Sequence, residues 1–356
     1  MIKQDTCISK IIKNEHEIAN KNKFTQVNTN KITAITYRNA EKSKFTGMKI
    51  SIKNILLLFA CLLLWNQEIS AQQDSQYTNY MYNTININPA YAGSRGVVSV
   101  FGLHRAQWVG LDGAPVTNAF SINTPLSNSN FGLGVSFVNN SIGPSDENAI
   151  SIDASYTIQT SEVYKLSFGI KGTANLLNID YTKLDRYDLT DPQFQNNVDN
   201  RFSPNFGAGI YFHSDKLYAG LSVPNFLETN HFDDNVSATA KERMHYYLIG
   251  GYVFDIAPSI KFKPAFLSKI TSGAPLQVDV TANFMFNEKF VFGSAWRWGS
   301  ALSTLVGFQI SENWFIGYAY DAETTILANY NSGSHEIFLR YEFKGKSEKV
   351  ITPRFF

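Results

Sequence analysis

Histidine, cysteine and acidic side chains are the residues of this chain that could hold a metal ion. No two of its six histidines stand four residues apart on a segment of helical periodicity, so the paired ligands of a helical zinc site are missing. The two cysteines, Cys7 and Cys61, both lie within the first 71 residues. Asp233-Asp234-Asn235 could ligate calcium, but an acidic, solvated loop is the simpler interpretation. We therefore expect no metal and no other cofactor.

A hydrolytic or dinucleotide-binding site has equally weak support. Gly220-Leu221-Ser222-Val223-Pro224 comes closest to the turn that presents a nucleophilic serine, yet it falls inside an alternating stretch. Gly207-Ala208-Gly209 lacks the third glycine and the helix of a dinucleotide loop. The sequence thus predicts a protein that is not an enzyme, with a hydrolase as a distant alternative.

Charged side chains recur at alternate positions, where strand geometry places them all on one face. Because a lysine or arginine facing lipid at the membrane midplane would cost about 2–4 kcal/mol, this shared parity indicates an interior face. Their mixed sign favours a salt-bridged wall or plug over a selective ion filter, and a water-filled interior is an equal alternative. The predicted interior charges are Asp153, Lys165, Lys171, Lys261, Lys263, Lys269, Asp279, Arg297, Asp321, Glu336, Arg340 and Glu342.

The elements that position these charges are strands of about ten residues. From Val97 to Phe343 apolar and polar residues alternate, most clearly in 276–286. Period two indicates β-strands, and about 9–11 residues are needed for a tilted strand to cross a bilayer. We predict an all-β fold, a transmembrane outer-membrane β-barrel of about 14 antiparallel strands. The predicted strands are 97–108, 116–124, 131–139, 149–159, 164–177, 202–213, 216–224, 244–254, 259–270, 276–286, 290–299, 302–310, 314–321 and 334–343.

The connections between these strands differ in length. The odd connections include the long ones, 178–201, 225–243 and 322–333, whereas the even connections are short. Outer-membrane barrels have short periplasmic turns and longer outer loops. This sorting places both ends of the barrel in the periplasm, and aromatic residues near many strand ends fit the girdles at the membrane interfaces.

The first 96 residues lie outside the alternating region. Residues 48–71 combine a basic stretch, a short apolar run and a small residue, Ala71, which is the pattern of a cleaved signal peptide. Residues 1–47 are interpreted as a mis-assigned or disordered upstream extension. Residues 72–96 are a periplasmic or plug segment, 97–343 the barrel, and 344–356 a basic periplasmic tail.

The composition of the chain after the expected cleavage point argues against a nucleic-acid-binding protein and against a protein with transmembrane helices. Residues 72–356 hold 20 Lys and Arg and 25 Asp and Glu, a net charge of −5. No basic stripe occurs, so we expect no nucleic-acid partner. No stretch of 18 apolar residues occurs either, so no transmembrane helix is predicted.

Short blocks distributed along the chain are shared with a known family. The two most specific are Asn88-Pro89-Ala90-Tyr91-Ala92-Gly93 and Gln107-Trp108-Val109-Gly110-Leu111-Asp112-Gly113-Ala114-Pro115. Others are Ser141-Ile142-Gly143-Pro144, Pro204-Asn205-Phe206-Gly207-Ala208-Gly209, Gly273-Ala274-Pro275-Leu276-Gln277-Val278-Asp279, Asn331-Ser332-Gly333-Ser334-His335-Glu336-Ile337 and Pro353-Arg354-Phe355-Phe356. Together they resemble the PorP/SprF family of type IX secretion system membrane proteins from Bacteroidota. The resemblance extends over 72–356.

The resemblance implies a non-catalytic outer-membrane component of the type IX secretion and gliding system. Such a component would support secretion or surface attachment of a large adhesin-type cargo. The implied partners are periplasmic and outer-membrane parts of that machinery, the C-terminal domain of the adhesin, and outer-membrane lipid. An outer-membrane porin or a channel for hydrophobic substrates is the alternative.

Three segments are candidates for partner or cargo binding. The block at 88–93 precedes the first strand and is either a plug or a docking site, with equal weight. The block at 107–115 is the first outer loop, and the tail is either a contact for periplasmic machinery or disordered. The candidate residues are Asn88, Pro89, Ala90, Tyr91, Gly93, Trp108, Gly110, Gly113, Pro115, Arg354, Phe355 and Phe356.

Overall fold

A single antiparallel sheet forms the wall of the molecule in the computed structural model, which describes residues 77–127, 129–184, 196–228 and 243–343. The first and last strands pair from Val98↔Phe343 to Ala106↔His335, which closes the sheet into a barrel. The strands are β1 (Val98–Ala106), β2 (Val116–Pro125), β3 (Phe131–Ile142), β4 (Ser145–Gln159), β5 (Lys165–Ile179), β6 (Val198–His213), β7 (Leu217–Val223), β8 (His245–Tyr252), β9 (Phe254–Ala257), β10 (Ile260–Thr271), β11 (Gln277–Phe286), β12 (Phe290–Arg297), β13 (Ala301–Gln309), β14 (Trp314–Glu323) and β15 (Ser334–Phe343).

β8 and β9 together make one crossing of the wall, because both pair with β10. Between them lies Val253, which is fully buried and whose N–H donates to the Lys216 carbonyl at 2.9 Å. The wall therefore has fourteen crossings, an even number as in bacterial single-chain barrels. The predicted fold is confirmed.

The two ends of the barrel differ in their connections. One end carries connections of two to five residues, and we call it the short-turn end. The other end carries the odd connections, among them 180–197 and 224–244, and we call it the long-loop end. The polypeptide that precedes β1 must reach Val98 at the short-turn end.

One side of the wall extends further than the rest. β4, β5 and β6 have 15, 15 and 16 residues, whereas β12 and β13 have 8 and 9. The additional length lies at the long-loop end, and we call residues 145–149, 174–179 and 198–204 the projecting sheet.

The wall is apolar outside and polar inside, the reverse of a soluble protein. Ile152 and Ile170 on the outer face are 62% and 67% exposed, while the inward Asp153 and Lys171 beside them are buried. Ten of the twelve predicted interior charges are buried. The other two, Lys165 and Lys261, lie at the ends of their strands, where Lys165 is exposed and Lys261 pairs with Glu288 at 2.8 Å.

Aromatic side chains cluster on the outer face near the short-turn end. Phe131 packs on Tyr156 with ring centroids 5.0 Å apart, and Tyr341 lies between Trp314 and Phe343 at 4.6 and 4.7 Å. Aromatic girdles of this kind mark the membrane–water interface of barrels.

The interior is filled by residues 77–96, which we call the plug. The plug contains one short helix, α1 (Thr84–Ile87), followed by a 3-10 helix (Pro89–Tyr91). Its Tyr80, Tyr82 and Ile85 join one apolar cluster with side chains of the wall. No helix among the described residues is long and apolar enough to cross a membrane.

Candidate functional site

A cavity of about 640 Å³ opens at the long-loop end of the barrel. Its wall combines hydroxyl and amide groups with charges of both signs and a few aromatic rings. The plug residues Tyr77, Asn86 and Ile87 line it from within the barrel. The side chains that matter most for its chemistry are Trp108, Asn140, Lys171, Arg243, Arg297 and Asp321.

Directly at the cavity, a buried ionic cluster holds the start of the plug. Arg105 on β1 contacts Asp321 on β14 at 2.8 Å and Glu336 on β15 at 3.1 Å. Glu336 also accepts hydrogen bonds from the backbone N–H groups of Thr78 (3.0 Å) and Asn79 (2.8 Å). The Thr78 hydroxyl donates to Asp321 at 2.7 Å. We call these five residues the latch.

The charges of the latch are buried and paired with one another. The side chains of Arg105, Asp321 and Glu336 are at most 3% exposed. Removing one partner from such a cluster leaves an uncompensated charge, which costs about 3–5 kcal/mol. Because both carboxylate oxygens of Glu336 accept from plug backbone N–H groups, the latch determines both the position and the direction of the chain at residue 78.

The block at 88–93 lies against the opposite part of the wall, on β3 to β7. The Asn88 side chain accepts from the Ala90 N–H and donates to the Ile210 carbonyl, both at 3.0 Å. The Ser155 hydroxyl donates to the Ala92 carbonyl at 2.7 Å. Asn88 therefore caps the 3-10 helix and binds the wall with the same side chain.

Glycines on the inner face make room for this block. A Cβ added at Gly169 would lie 2.2 Å from the Ala90 nitrogen, and one at Gly132 would lie 2.2 Å from the Ala92 carbonyl oxygen. A Cβ at Gly209 would lie 2.2 Å from the Asn88 Oδ1 atom. The backbone of the plug thus touches the backbone of the wall, which only glycine permits.

At the long-loop end, three of the blocks interlock around the mouth of the cavity. The Gly143 N–H donates to the Gly113 carbonyl at 2.9 Å, which joins the first long loop to the β3–β4 turn. Val109 exchanges two backbone hydrogen bonds with the last long loop, to Gly333 and from Ser332. We call residues 107–115, 143 and 331–334 the collar.

Trp108 anchors the collar to the barrel rim. Its backbone has φ 49°, and its indole N–H donates to Glu323 at 3.1 Å. Its backbone N–H donates to the Ser334 hydroxyl at 3.1 Å. The ring is half-buried and forms part of the cavity wall, so the tryptophan combines a fixed position with an accessible face.

The projecting sheet continues the cavity wall beyond the rim. Its inner face turns apolar, with Leu177, Ile179 and Tyr181 in one cluster that Val198 joins. At its edge the Asp180 carboxylate accepts hydrogen bonds from the hydroxyl (2.6 Å) and N–H (3.1 Å) of Thr182, which lower the pKa of that carboxyl.

The structure separates the candidate binding residues into three groups. Trp108 and Pro115 line the cavity, and Gly110 and Gly113 are exposed in the collar. Asn88, Pro89, Ala90 and Tyr91 are buried in the barrel interior, and Gly93 follows them at the short-turn end of the plug, beside Pro125 and Gly132. Arg354, Phe355 and Phe356 lie outside the described residues.

Sequence reasoning missed the latch. Asp321 and Glu336 were predicted to face inward, but Arg105 was not, because the two inward positions just before it on β1 are the apolar Phe101 and Leu103. Thr78 and Asn79 carry no periodic signal. The alternation of inward and outward residues along β1 is the one signal that could have placed Arg105 on the inner face.

The described residues bring no three His, Cys, Asp or Glu side chains together in a geometry that could hold a metal ion. Several solved structures are similar to this chain. They include the CymD monoaromatic hydrocarbon channel (12% identity, 74% of this chain and 93% of that chain, TM-score 0.44), the Ralstonia pickettii toluene transporter TbuX (9%, 72% and 92%, 0.43) and the KdgM porin (11%, 69% and 100%, 0.34). None of the curated proteins matches the chain.

A family match covers most of the chain. Residues 69–341 match the family described as type IX secretion system membrane protein PorP/SprF, and this range includes the plug, the latch and the collar. The blocks that form the collar and the wall-contacting part of the plug are those whose resemblance to this family the sequence had indicated. The chain belongs to the PorP/SprF family of type IX secretion system membrane proteins.

Proposed function

We propose that this protein is a non-catalytic outer-membrane component of the type IX secretion and gliding system that holds an adhesin-type cargo at the cell surface. One observation carries the proposal: three family blocks interlock into a collar around a cavity whose base is closed by the plug. A fixed, polar and closed surface suits binding better than conduction.

The long-loop end faces the cell exterior in this proposal. Connections of two to five residues at the other end are the short periplasmic turns of an outer-membrane barrel. β15 ends at Phe343 on that side, so the basic tail 344–356 begins in the periplasm. There we propose that Arg354, Phe355 and Phe356 contact the secretion machinery.

The C-terminal domain of the cargo contacts the collar and the inner face of the projecting sheet. Trp108 is the expected anchor, because tryptophan held in a fixed position dominates many interfaces. Leu177 and Ile179 would add apolar contact area beside it, while the polar cavity wall supplies hydrogen-bonding groups.

A porin or a channel for hydrophobic substrates is the second candidate, favoured by the polar interior and the size of the cavity. The plug counts against it, since Tyr80, Ile85 and Ala90 are at most 2% exposed and occupy the path through the barrel. Transport would require the plug to move.

Surface display of the adhesin tests the proposal. Deletion of the gene should abolish labelling of the adhesin on intact cells while uptake of small solutes stays normal. Trp108→Ala should reduce display towards the level of the deletion, because the collar loses its anchor. The control is Ile326→Ala, which removes a side chain 81% exposed on the last long loop but outside the collar.

Assembly of each variant is checked by the heat-dependent electrophoretic shift of a folded barrel. Normal display of the adhesin in the deletion strain would overturn the proposal. Normal display with Trp108→Ala in a folded barrel would exclude the collar as the contact.

A further inference from the structure

We propose that the cavity at the long-loop end is a binding site for a small neutral saccharide, which packs a ring face against Trp108 and bonds its hydroxyl groups to the inner wall. The volume of about 640 Å³ lies within the range of about 300–1,000 Å³ that is usual for small-ligand sites. Tyr77 and Ile87 of the plug form its inner end. A ligand that enters at the mouth therefore meets a closed surface that can hold it.

The charged side chains of the cavity wall are largely engaged with other charges. Arg297 contacts Asp279 at 2.9 Å, and Lys171 contacts Asp153 at 3.1 Å. The arginine of the latch is paired with two carboxylates in the same way. Because these charges offset one another within the wall, they leave little net attraction for an ion. An uncharged ligand fits this wall better than a carboxylate or a phosphate does.

Several amides and hydroxyls of the wall, in contrast, keep their hydrogen-bonding capacity. Ser136 and Asn175 line the cavity, are 3% and 4% exposed, and make no side-chain hydrogen bond to any described residue. The buried amide atoms of Asn86 on α1 have no partner in the described part of the chain either. Hydroxyls and carboxamides can both donate and accept, as can every hydroxyl of a sugar. The unused groups therefore match a ligand that carries many hydroxyl groups.

The register of β3, β4 and β5 brings polar side chains together on this wall. Ser136 lies opposite Ser151, and Ser151 lies opposite Thr173, which is two residues from Asn175. The hydroxyls of Ser151 and Thr173 are 2.9 Å apart and bond to each other. Opposite and diagonal neighbours on one face of a sheet lie about 5–8 Å apart. These four side chains thus form one polar surface comparable in extent to a sugar ring.

Trp108 supplies the apolar contact that a saccharide needs, because the C–H groups of a sugar ring form a face that packs on aromatic rings. Its φ of 49° is unfavourable for a tryptophan, and strain of this kind concentrates at ligand sites. Hydrogen bonds to Glu323 and Ser334 hold the residue in place. Water would satisfy the amides and hydroxyls but would gain nothing from the ring, so the combination favours a ligand with polar and apolar faces.

Binding is measured on the purified, folded barrel in an amine-oxide detergent, which has no sugar headgroup. The probes are neutral mono- to trisaccharides of glucose, galactose, mannose, rhamnose and N-acetylglucosamine, each at about 10 mM, enough to occupy a site of millimolar affinity. Saturation-transfer NMR detects binding and calorimetry gives Kd. Galacturonate and N-acetylneuraminate are the charged comparison. Binding of a neutral sugar supports the inference, whereas binding of no probe, or tighter binding of the acidic sugars, overturns it.

Two variants locate the bound sugar. Ser136→Ala and Asn175→Leu should each raise Kd about three- to tenfold through the lost hydrogen bonds. Neither should weaken the fold, since neither side chain bonds to a described residue. Ser121→Ala is the matched control, because its hydroxyl is also buried and without a partner among the described residues but lies outside the cavity wall. An equal effect of all three variants would overturn the site.

The aromatic contact is tested with Trp108→Ala, which should raise Kd about tenfold or more, and with Trp108→Phe, which keeps a flat ring and should lose less. Unchanged affinity of Trp108→Ala in a folded barrel would contradict the stacking. The source of the sugar is decided with the best ligand coupled to albumin through its reducing end. Binding of both forms assigns the end of a glycan chain, and binding of the free form alone assigns a soluble sugar.

This inference goes beyond the proposed function and does not rest on it. Saccharide binding is measured on the isolated barrel, whichever face of the membrane the long-loop end occupies, whereas adhesin display is measured on cells. Normal adhesin display in the deletion strain would leave the saccharide site standing, and a barrel that binds no sugar would leave the cargo contact standing.

Discussion

Arg105 is the residue on which the position of the plug depends. Its guanidinium lies between Asp321 and Glu336, and Glu336 in turn accepts from the Thr78 and Asn79 backbone. Such a cluster need not be more stable than an apolar core of the same volume, but it defines one geometry. Here that geometry sets the register of an unpaired segment inside a polar barrel, where apolar packing alone would be less specific.

Arg105→Met should destabilise the barrel by about 3–5 kcal/mol, because buried Glu336 loses its guanidinium partner and buried Asp321 keeps only the more distant Arg297, at 4.0 Å. The free energy of unfolding, measured by urea titration in detergent, checks this. The control is Lys261→Met, whose partner Glu288 is 57% exposed, and a loss of about 1 kcal/mol or less is expected there. Equal losses in both variants would show that the latch contributes no more than a surface pair.

Gly169→Ala should expel or shift the block at 88–93, because the new methyl group meets the Ala90 backbone at 2.2 Å. We expect a loss of about 1–3 kcal/mol, the range for overpacking, and faster proteolysis of the plug. Gly172→Ala is the matched control on the same strand, since nothing lies within 4 Å of its added Cβ. A stable, protease-resistant Gly169→Ala barrel would contradict the close approach of plug and wall.

At the scale of elements, alternation predicted the barrel because lipid imposes it on every strand. It was least informative where lipid is absent. β4 begins at Ser145 rather than at 149, and β6 at Val198 rather than at 202, because the projecting sheet meets water and its residues need not alternate. The predicted strand 244–254 is divided at Val253 and continues to Ala257, since the local break changes which residues face inward.

The alternation of apolar and polar residues does not predict the conformations of the plug and the collar. Their conformations rest on single hydrogen bonds between distant segments, such as Asn88 to Ile210 and Gly143 to Gly113. In the sequence, the plug and the collar each contain a distinctive block rich in glycine, proline or asparagine. The sequence left open whether the block at 88–93 faced a partner or the barrel interior, because that depends on which strands surround it.

Gly110→Ala should loosen the collar without any steric collision. Gly110 has φ 103° and nothing within 4 Å of an added Cβ, so the cost is backbone strain alone, about 1–2 kcal/mol. We expect faster proteolysis in 107–115 and weaker adhesin display. Gly102→Ala, which has equal space but regular strand backbone, should resemble the wild type. Similar proteolysis of both variants would show that the collar does not depend on this conformation.

At the scale of the whole molecule, the barrel combines two closures of different kinds. The wall is closed by the β1–β15 pairing, and the interior is closed by the plug. The plug contacts the wall at three places. These are the latch on β1, β14 and β15, the glycine-lined contact on β3 to β7, and the contact of Met81 with Asn283 on β11 at 3.2 Å. Because the plug contacts opposite sides of the wall, it holds those sides together as well as blocking the interior. A binding surface at the long-loop end would benefit from both, since the rim that carries the collar cannot deform independently.

The reconstituted protein should therefore be silent in planar bilayers, because apolar rings, Tyr82 and Phe338 among them, fill the path through the described part of the barrel. Removal of residues 77–92 should produce steady open currents, since the remaining inner wall is polar and water-filled barrels of this kind conduct. Arg105→Met should give an intermediate result, with brief openings as the plug loses its upper anchor. Insertion of each protein is verified by its heat-dependent electrophoretic shift, so that silence is not mistaken for failure to insert. Steady currents from the intact chain would contradict the closed interior and would favour the channel over the cargo-holding barrel.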